Sequence, residues 1–260
     1  MALGRSGDVE ALQLAAEWAR PVALAGEHLL PVLAPLTPLL VDGGLRRGST
    51  ISVEGAPGAT TLAMALGAAA SAAGSWVAAV SLPALGLSAA AELGVVLERM
   101  VVVTSPPARA WATVVAALVD AVELVWVGLP RRVAAGDARR LAARARERGS
   151  VLVPVAARGA TSARSGASGG WPQPADVRLV VRSSAWAGLA GDGAGRLEAR
   201  RAEVGATGRG AAARERRVAL WLPGPDGRVA PVDPPVLCRF DPMGRGPVDE
   251  ERQGGGEAAG

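Results

Sequence analysis

Between residues 50 and 155 the chain alternates short, almost wholly apolar runs with longer Ala/Leu-rich ones, and no other feature restricts the fold so strongly. Strand-like runs fall at 50–53, 76–80, 100–103, 124–127 and 151–155. Helix-like runs lie between them at about 60–73, 88–94, 108–119 and 137–148. Strands that alternate with helices predict βαβ units and a mostly parallel sheet with both faces covered. A strand such as Leu124-Val125-Trp126-Val127, with no polar break, suits burial on both sides. After residue 174 the pattern changes. Runs at 177–181, 196–204 and 216–222 look like strands with no helices between them, which predicts antiparallel strands added to the sheet edge. The expected fold class is therefore α/β, mostly parallel, with antiparallel C-terminal strands and a short N-terminal helix.

The flanking segments read differently. Residues 8–19 mix Val9, Leu12, Leu14 and Ala16 with charges, the pattern of a short amphipathic helix that Pro21 ends. Residues 29–41 are apolar but hold three prolines, which predicts a packed connector rather than a helix. Residues 159–174 are Gly/Ser-rich and read as a flexible loop. From Asp241 onward the chain is Gly-rich and acidic, the composition of a disordered tail. The expected organisation is an N-terminal helix and Pro-rich connector (1–35), a core (36–222) and a Pro/Gly-rich tail (223–260).

Composition removes whole classes of chemistry. The chain has 28 basic residues, all of them Arg. Without Lys, neither Schiff-base formation nor the usual lysine grip on a phosphate has a side chain to perform it. One cysteine, Cys238, excludes an intramolecular disulfide and a multi-Cys metal site, and one histidine, His28, excludes a His-rich one. No cofactor or metal is expected. The first twenty residues lack an apolar signal-peptide core, so the expected location is cytoplasmic. Residues 59–91 carry no charge over a length that could span a bilayer. They are mostly Ala, Gly and Ser and contain Pro83, so a buried α/β segment is expected and no membrane partner.

Charge is unevenly distributed. Residues 1–130 hold 6 Arg and 10 acids, residues 131–240 hold 20 Arg and 9 acids, and the last twenty hold 2 Arg and 5 acids. The second half is thus a basic module. Such a module suits an anionic partner such as nucleic acid, or simply solvated faces in an Arg-biased composition.

A strand, a Gly-rich turn and a helix opening on Thr-Thr form the setting of a phosphate-binding P-loop. That chemistry needs backbone N–H groups around the β-phosphate, a Lys on the β/γ oxygens and a Ser/Thr hydroxyl on Mg²⁺. Here the turn holds Gly55, Pro57 and Gly58, followed by Ala59, Thr60 and Thr61. Ala59 and Thr60 stand where Lys would, and the turn is too short to wrap a triphosphate.

From Leu36 to about Leu222 the sequence resembles the ATPase core of the RecA recombinase family. Residues 36–55, with Gly43-Gly44-Leu45 and Gly48, resemble that family's lead-in to its P-loop, which matches at Gly55 and Thr60-Thr61-Leu62-Ala63 but is two residues shorter. Leu93-Gly94-Val95 before 100–103, Ala175-Asp176-Val177-Arg178-Leu179 with Arg182, and the paired strands near the end also match in order and spacing. The resemblance places the family's catalytic Glu at about Pro83, its Walker B Asp at Gly128 and its γ-phosphate sensor in Val155-Ala156-Ala157, none of which has an ionisable side chain. It therefore implies a pseudo-ATPase, not an enzyme.

Within that family the chain resembles the ImuA-type mutagenesis accessory proteins of actinobacteria, RecA-like proteins without the catalytic residues. That resemblance implies an adaptor in error-prone translesion synthesis after DNA damage. Its partners would be a Y-family-like polymerase subunit (ImuB type) and an error-prone C-family polymerase, with DNA contact possible. The groups suited to DNA or partner contact are Arg139, Arg140 and Arg144 on one helix, Arg158 before the Gly/Ser-rich loop, Arg164 and Trp171 in that loop, and Arg200, Arg201, Arg214, Arg216 and Arg217 on the closing hairpin. Residues 205–260 are expected to dock the polymerase. Alternatives are a damage-induced inhibitor of cell division with a RecA-like fold, a plain basic DNA-binding module, and an NTPase with an unusual loop. Asp120 and Glu123 read as a solvated helix end rather than a catalytic pair.

Overall fold

The computed structural model describes residues 28–55, 57–130, 132–157, 170–189 and 195–232. Expectations for the 8–19 helix, for Arg158 and Arg164, and for the acidic tail lie outside these residues.

Eleven strands and four α-helices follow in chain order among the described residues. The strands are β1 (Leu29–Leu30), β2 (Leu45–Arg46), β3 (Ile51–Gly55), β4 (Val77–Val80), β5 (Met100–Val103), β6 (Leu124–Gly128), β7 (Val151–Ala157), β8 (Val177–Leu189), β9 (Gly195–Gly208), β10 (Arg216–Trp221) and β11 (Ala230–Pro231). The helices are α1 (Ala59–Ala72), α2 (Leu87–Glu92), α3 (Trp111–Ala121) and α4 (Ala135–Arg148).

Nine strands form one sheet in the order β11-β10-β9-β8-β3-β7-β6-β4-β5. Pairing is parallel from β8 to β5 and antiparallel from β8 to β11. This is the mixed α/β architecture, largely parallel with antiparallel C-terminal strands, that the alternation of runs predicts. The antiparallel part is larger than expected. β8 and β9 are thirteen and fourteen residues long and extend beyond the rest of the sheet as a paired arm. β11, inside the region expected to be a tail, pairs with β10.

Two apolar layers sandwich the sheet. On one face α1 and α2 pack through Leu62, Leu66, Ala90 and Leu93 onto Ile51, Val53, Leu124 and Trp126. On the other, α3 and α4 pack through Trp111, Val115, Leu118 and Leu141 onto Val80, Val125 and Val127. The alternation of strand side chains between faces divides β6 between both clusters. Helix α4 shows how little apolar surface such a layer needs: Ala138, Leu141 and Ala145, at helical spacing, are buried, while Arg139, Arg140, Arg144, Arg146 and Arg148 are exposed.

The uncharged stretch 59–91 divides into α1, β4 and part of α2, and α1 is buried through nearly its whole length. Among the described residues no helix is long and apolar enough to cross a membrane. The proline-rich segment departs from expectation. Ala34–Leu39 form a 3₁₀ helix with Pro near its first turn and Pro38 inside, burying Leu36 and Leu39. A tight, short helix tolerates proline where an α-helix would lose a backbone hydrogen bond.

Candidate functional site

The carboxyl ends of parallel strands are where an α/β sheet places ligands, and here the ends of β3 and β6 are closely covered. Strand β3 ends at Gly55, which has φ +116° and lies so near β8 that an added Cβ would meet the Val181 backbone N at 2.9 Å. Gly58, with φ +127°, precedes α1 and gives the helix no side-chain cap. Ala59, where the sequence resemblance expects a lysine, is buried, and so is Thr60.

Above Gly58 lies a side chain that strand alternation does not reveal. Arg200 on β9 is only 6% exposed. Its guanidinium carbon and Nη2 sit 3.3 Å from where a Gly58 Cβ would stand. Nη2 donates to Thr61 Oγ1 at 2.7 Å and Nε donates to the Leu222 carbonyl at 2.7 Å, while the cation stacks 5.1 Å from the Trp186 ring centre. Burial lowers its pKa from the ordinary value, yet a guanidinium remains charged. Ser184 Oγ donates to the Pro57 carbonyl at 2.7 Å. The β8–β9 arm is thereby fastened over the strand–turn–helix. The expectation that Arg200 is a surface contact is corrected: it is an internal tie between the arm and α1.

The next strand ends are equally bare. After β4, Ser81 adopts a left-handed backbone (φ +54°) and turns across the end of β6. An added Cβ at Gly128 would fall within the Ser81 carbonyl oxygen and 2.6 Å from its carbon. No carboxylate fits there. Pro83 lies in an exposed turn, and β7 ends on Ala156 and Ala157. Among the described residues no group of three or more His, Cys, Asp or Glu side chains is placed to hold a metal.

Residues 38–160 match the family model of the MT3502 N-terminal domain. The uncharacterized protein Rv3395c of Mycobacterium tuberculosis (strain ATCC 25618 / H37Rv) is 33% identical to this chain over 159 residues, 58% of this chain and 71% of the relative. The chain belongs to the MT3502 family. The part matching the MT3502 N-terminal domain carries β3, the turn, α1 and Gly128. The arm that places Arg200 on Thr61 lies beyond it.

The remaining candidate residues of this MT3502-family chain separate into paired and unpaired groups. Arg140 pairs with Asp137. Arg144 Nε donates to Asp120 Oδ1 at 2.7 Å and Arg148 Nε to the same oxygen at 3.0 Å, so α4 is bound to α3. The hydrogen bond from Arg144 holds the Asp120 carboxyl below its usual pKa, and Asp120 raises that of Arg144. Arg217 pairs with Glu215 and Glu203, and Arg216 donates to the Ala211 carbonyl. Arg139, Arg146, Arg201 and Arg214 are exposed and have no carboxylate partner among the described residues. Trp171 is half-buried against the α3–α4 cluster.

The reading of Asp120 and Glu123 as a solvated helix end is also corrected. Asp120 is the salt-bridge hub just described. Glu123 is buried, and its Oε2 accepts the Trp76 backbone N–H at 2.8 Å. Both carboxylates are structural, because Asp120 in the last turn of α3 and Glu123 in the link to β6 each meet a donor that sequence spacing does not bring near.

Proposed function

We propose that this chain is a non-catalytic adaptor of RecA-like type in the DNA-damage response. In this reading it supports error-prone synthesis by joining a Y-family-like polymerase subunit to an error-prone C-family polymerase. The observation behind it is the close covering of the carboxyl ends of β3 and β6. The strand–turn–helix that would seat a nucleotide is covered by Arg200, and the position a metal-binding Asp would take at Gly128 has no room for a side chain. Phosphoryl transfer needs metal coordination and charge stabilisation at these points, each worth several kcal/mol of barrier. A fold kept without them serves through its surfaces.

The test is co-expression of the full chain with both polymerase partners from its own source, followed by pull-down and an ATPase assay on the same preparation. Co-purification without phosphate release is expected. Stoichiometric Mg·ATP binding with turnover, or no association with either partner, refutes the reading. The docking segment expected at 205–260 needs redefinition, because 205–208 belong to β9 and 216–221 to β10, both within the sheet. Removing 205–260 would strip strands from the core, so a chain ending at Val232 is the variant that isolates the tail.

Direct DNA contact is the second reading. It is favoured by Arg139, Arg146, Arg201 and Arg214, exposed cations without described carboxylate partners.

A further inference from the structure

On the outer side of the Arg200 tie, the β8–β9 arm, α2 and the turn after β10 enclose an open groove of about 880 Å³. Trp186 and Leu197, both on the arm, are 44% and 47% exposed, large apolar side chains facing the same depression. Leu93 and Pro223 continue the apolar wall opposite.

The groove's charge runs against that of its half of the chain. Glu92, Glu198 and Asp226 stand at its edge, all exposed, and none forms a salt bridge among the described residues. Elsewhere, Asp42, Glu54, Asp120, Asp137, Glu203 and Glu215 are each paired with an Arg, while Glu98 and Glu147 stand singly on other surfaces. Residues 131–240 carry a net +11, yet arginines do not neutralise these three acids. Among the described residues Arg196 is the one exposed cation lining the groove, and Arg200 is committed to Thr61 and Leu222. Apolar anchors beside uncompensated carboxylates form a surface complementary to one chemistry: an apolar side chain flanked by cations.

We propose that this groove docks a short segment of a partner protein, one bulky apolar anchor flanked by Lys or Arg. The inference rests on the adaptor reading and gives it a specific surface. The anchor lies against Trp186 and Leu197, and its flanking cations meet Glu92, Glu198 and Asp226. The arm is held in position for this by Arg200, which bonds Thr61 of α1 and stacks on Trp186.

The full chain is panned against a random twelve-residue peptide display library, and the consensus peptide is then titrated by calorimetry. The expected consensus is an apolar residue with Lys or Arg on both sides. Leu197→Ser should weaken that peptide about tenfold, Glu92→Lys with Glu198→Lys should do so at least as much, and Arg139→Ala should leave it unchanged. All of these side chains are exposed, and melting curves confirm that the variants fold. An acidic consensus, no consensus, a consensus copying this chain's own residues, or affinity indifferent to the groove variants overturns the proposal. The adaptor reading fails separately: polymerase pull-down can be absent while the peptide still binds the groove. If pull-down succeeds equally with the groove variants, the adaptor stands and this surface is not its docking site.

Discussion

Replacing Gly128 with Ala adds a single methyl group, and its consequence can be worked from the geometry. The new Cβ would overlap the Ser81 carbonyl oxygen and lie 2.6 Å from its carbon, with Leu82 Cδ2 at 3.3 Å. Leu82 could rotate away, but Ser81 is backbone, held by its N–H donating to the Val103 carbonyl at 2.9 Å. The β4–β6 ladder, which pairs Val80 with Val127 one residue earlier, resists separation. Overpacking a core ordinarily costs about 1–3 kcal/mol, and a collision with backbone belongs at the top of that range, about 3 kcal/mol. For a body of this size that corresponds to a fall in Tm of about 6–12 °C. Urea unfolding and a thermal melt measure it, with Gly136→Ala as control. Gly136 has only Arg140 Nη1, at 3.9 Å, near its would-be Cβ, so Ala there should be neutral or stabilising by up to about 1 kcal/mol. Gly128→Asp should be worse than Gly128→Ala, since it adds a buried carboxylate without a partner. If Gly128→Ala unfolds within about 0.5 kcal/mol of the parent, the end of β6 is not closely covered and the case against a metal-binding acid there collapses.

Arg200→Ala removes two hydrogen bonds from a buried cation and its stack on Trp186. The loss, about 1.5–3 kcal/mol for each charged bond, is partly offset by no longer desolvating the charge, leaving a net destabilisation of about 2–4 kcal/mol by urea unfolding. Arg200→Met, which fills the same volume, should cost less, and a neutral Ala variant would show that the arm is not tied there. Asp120→Asn should cost about 1 kcal/mol at pH 7, as expected for a partly exposed ion-pair network. Because Arg144 lowers the Asp120 pKa in the folded chain, this contribution is complete above the unfolded value near pH 4. It disappears as pH falls through the folded value. Unfolding at pH 7 and pH 3 should therefore show the two proteins converging in acid, and a constant gap would contradict the assignment. If α4 touches DNA, Arg139→Ala and Arg146→Ala should each reduce the salt slope of oligonucleotide binding by about one. Unchanged slopes in an anisotropy titration would remove that face from consideration.

How much was legible in advance differs by element. Strands β5, β6 and β7 and helices α1, α3 and α4 were visible because burial on a parallel sheet demands continuous apolar runs, and helix faces demand their own period. The 3₁₀ helix at Ala34–Leu39 was missed because its prolines argue against an α-helix and say nothing of a tighter one. The length of β8 was underestimated because Arg182, Ser183 and Ser184 read as the start of a loop after the apolar run, and that of β9 because Gly205 and Gly208 read as its end, until their backbone pairing is known. Trp186 and Leu197, the apolar residues of the arm, gave no signal of exposure, since an isolated Trp or Leu in sequence reads as core.

The amino-acid sequence by itself determined the α/β architecture, the lack of any lysine, and the absence of ionisable side chains at the ends of β6 and β7. These follow from residue identity and hydrophobic period, which are local properties of the chain. Only the tertiary structure decided that Arg200 occupies the place above α1, that Ser81 closes over Gly128, and that the arginines of α4 are divided between Asp120, Asp137 and solvent. Those outcomes depend on contacts between residues as much as 139 positions apart. Whether a charged side chain ends as tie, ion pair or free surface is settled by what the fold brings beside it.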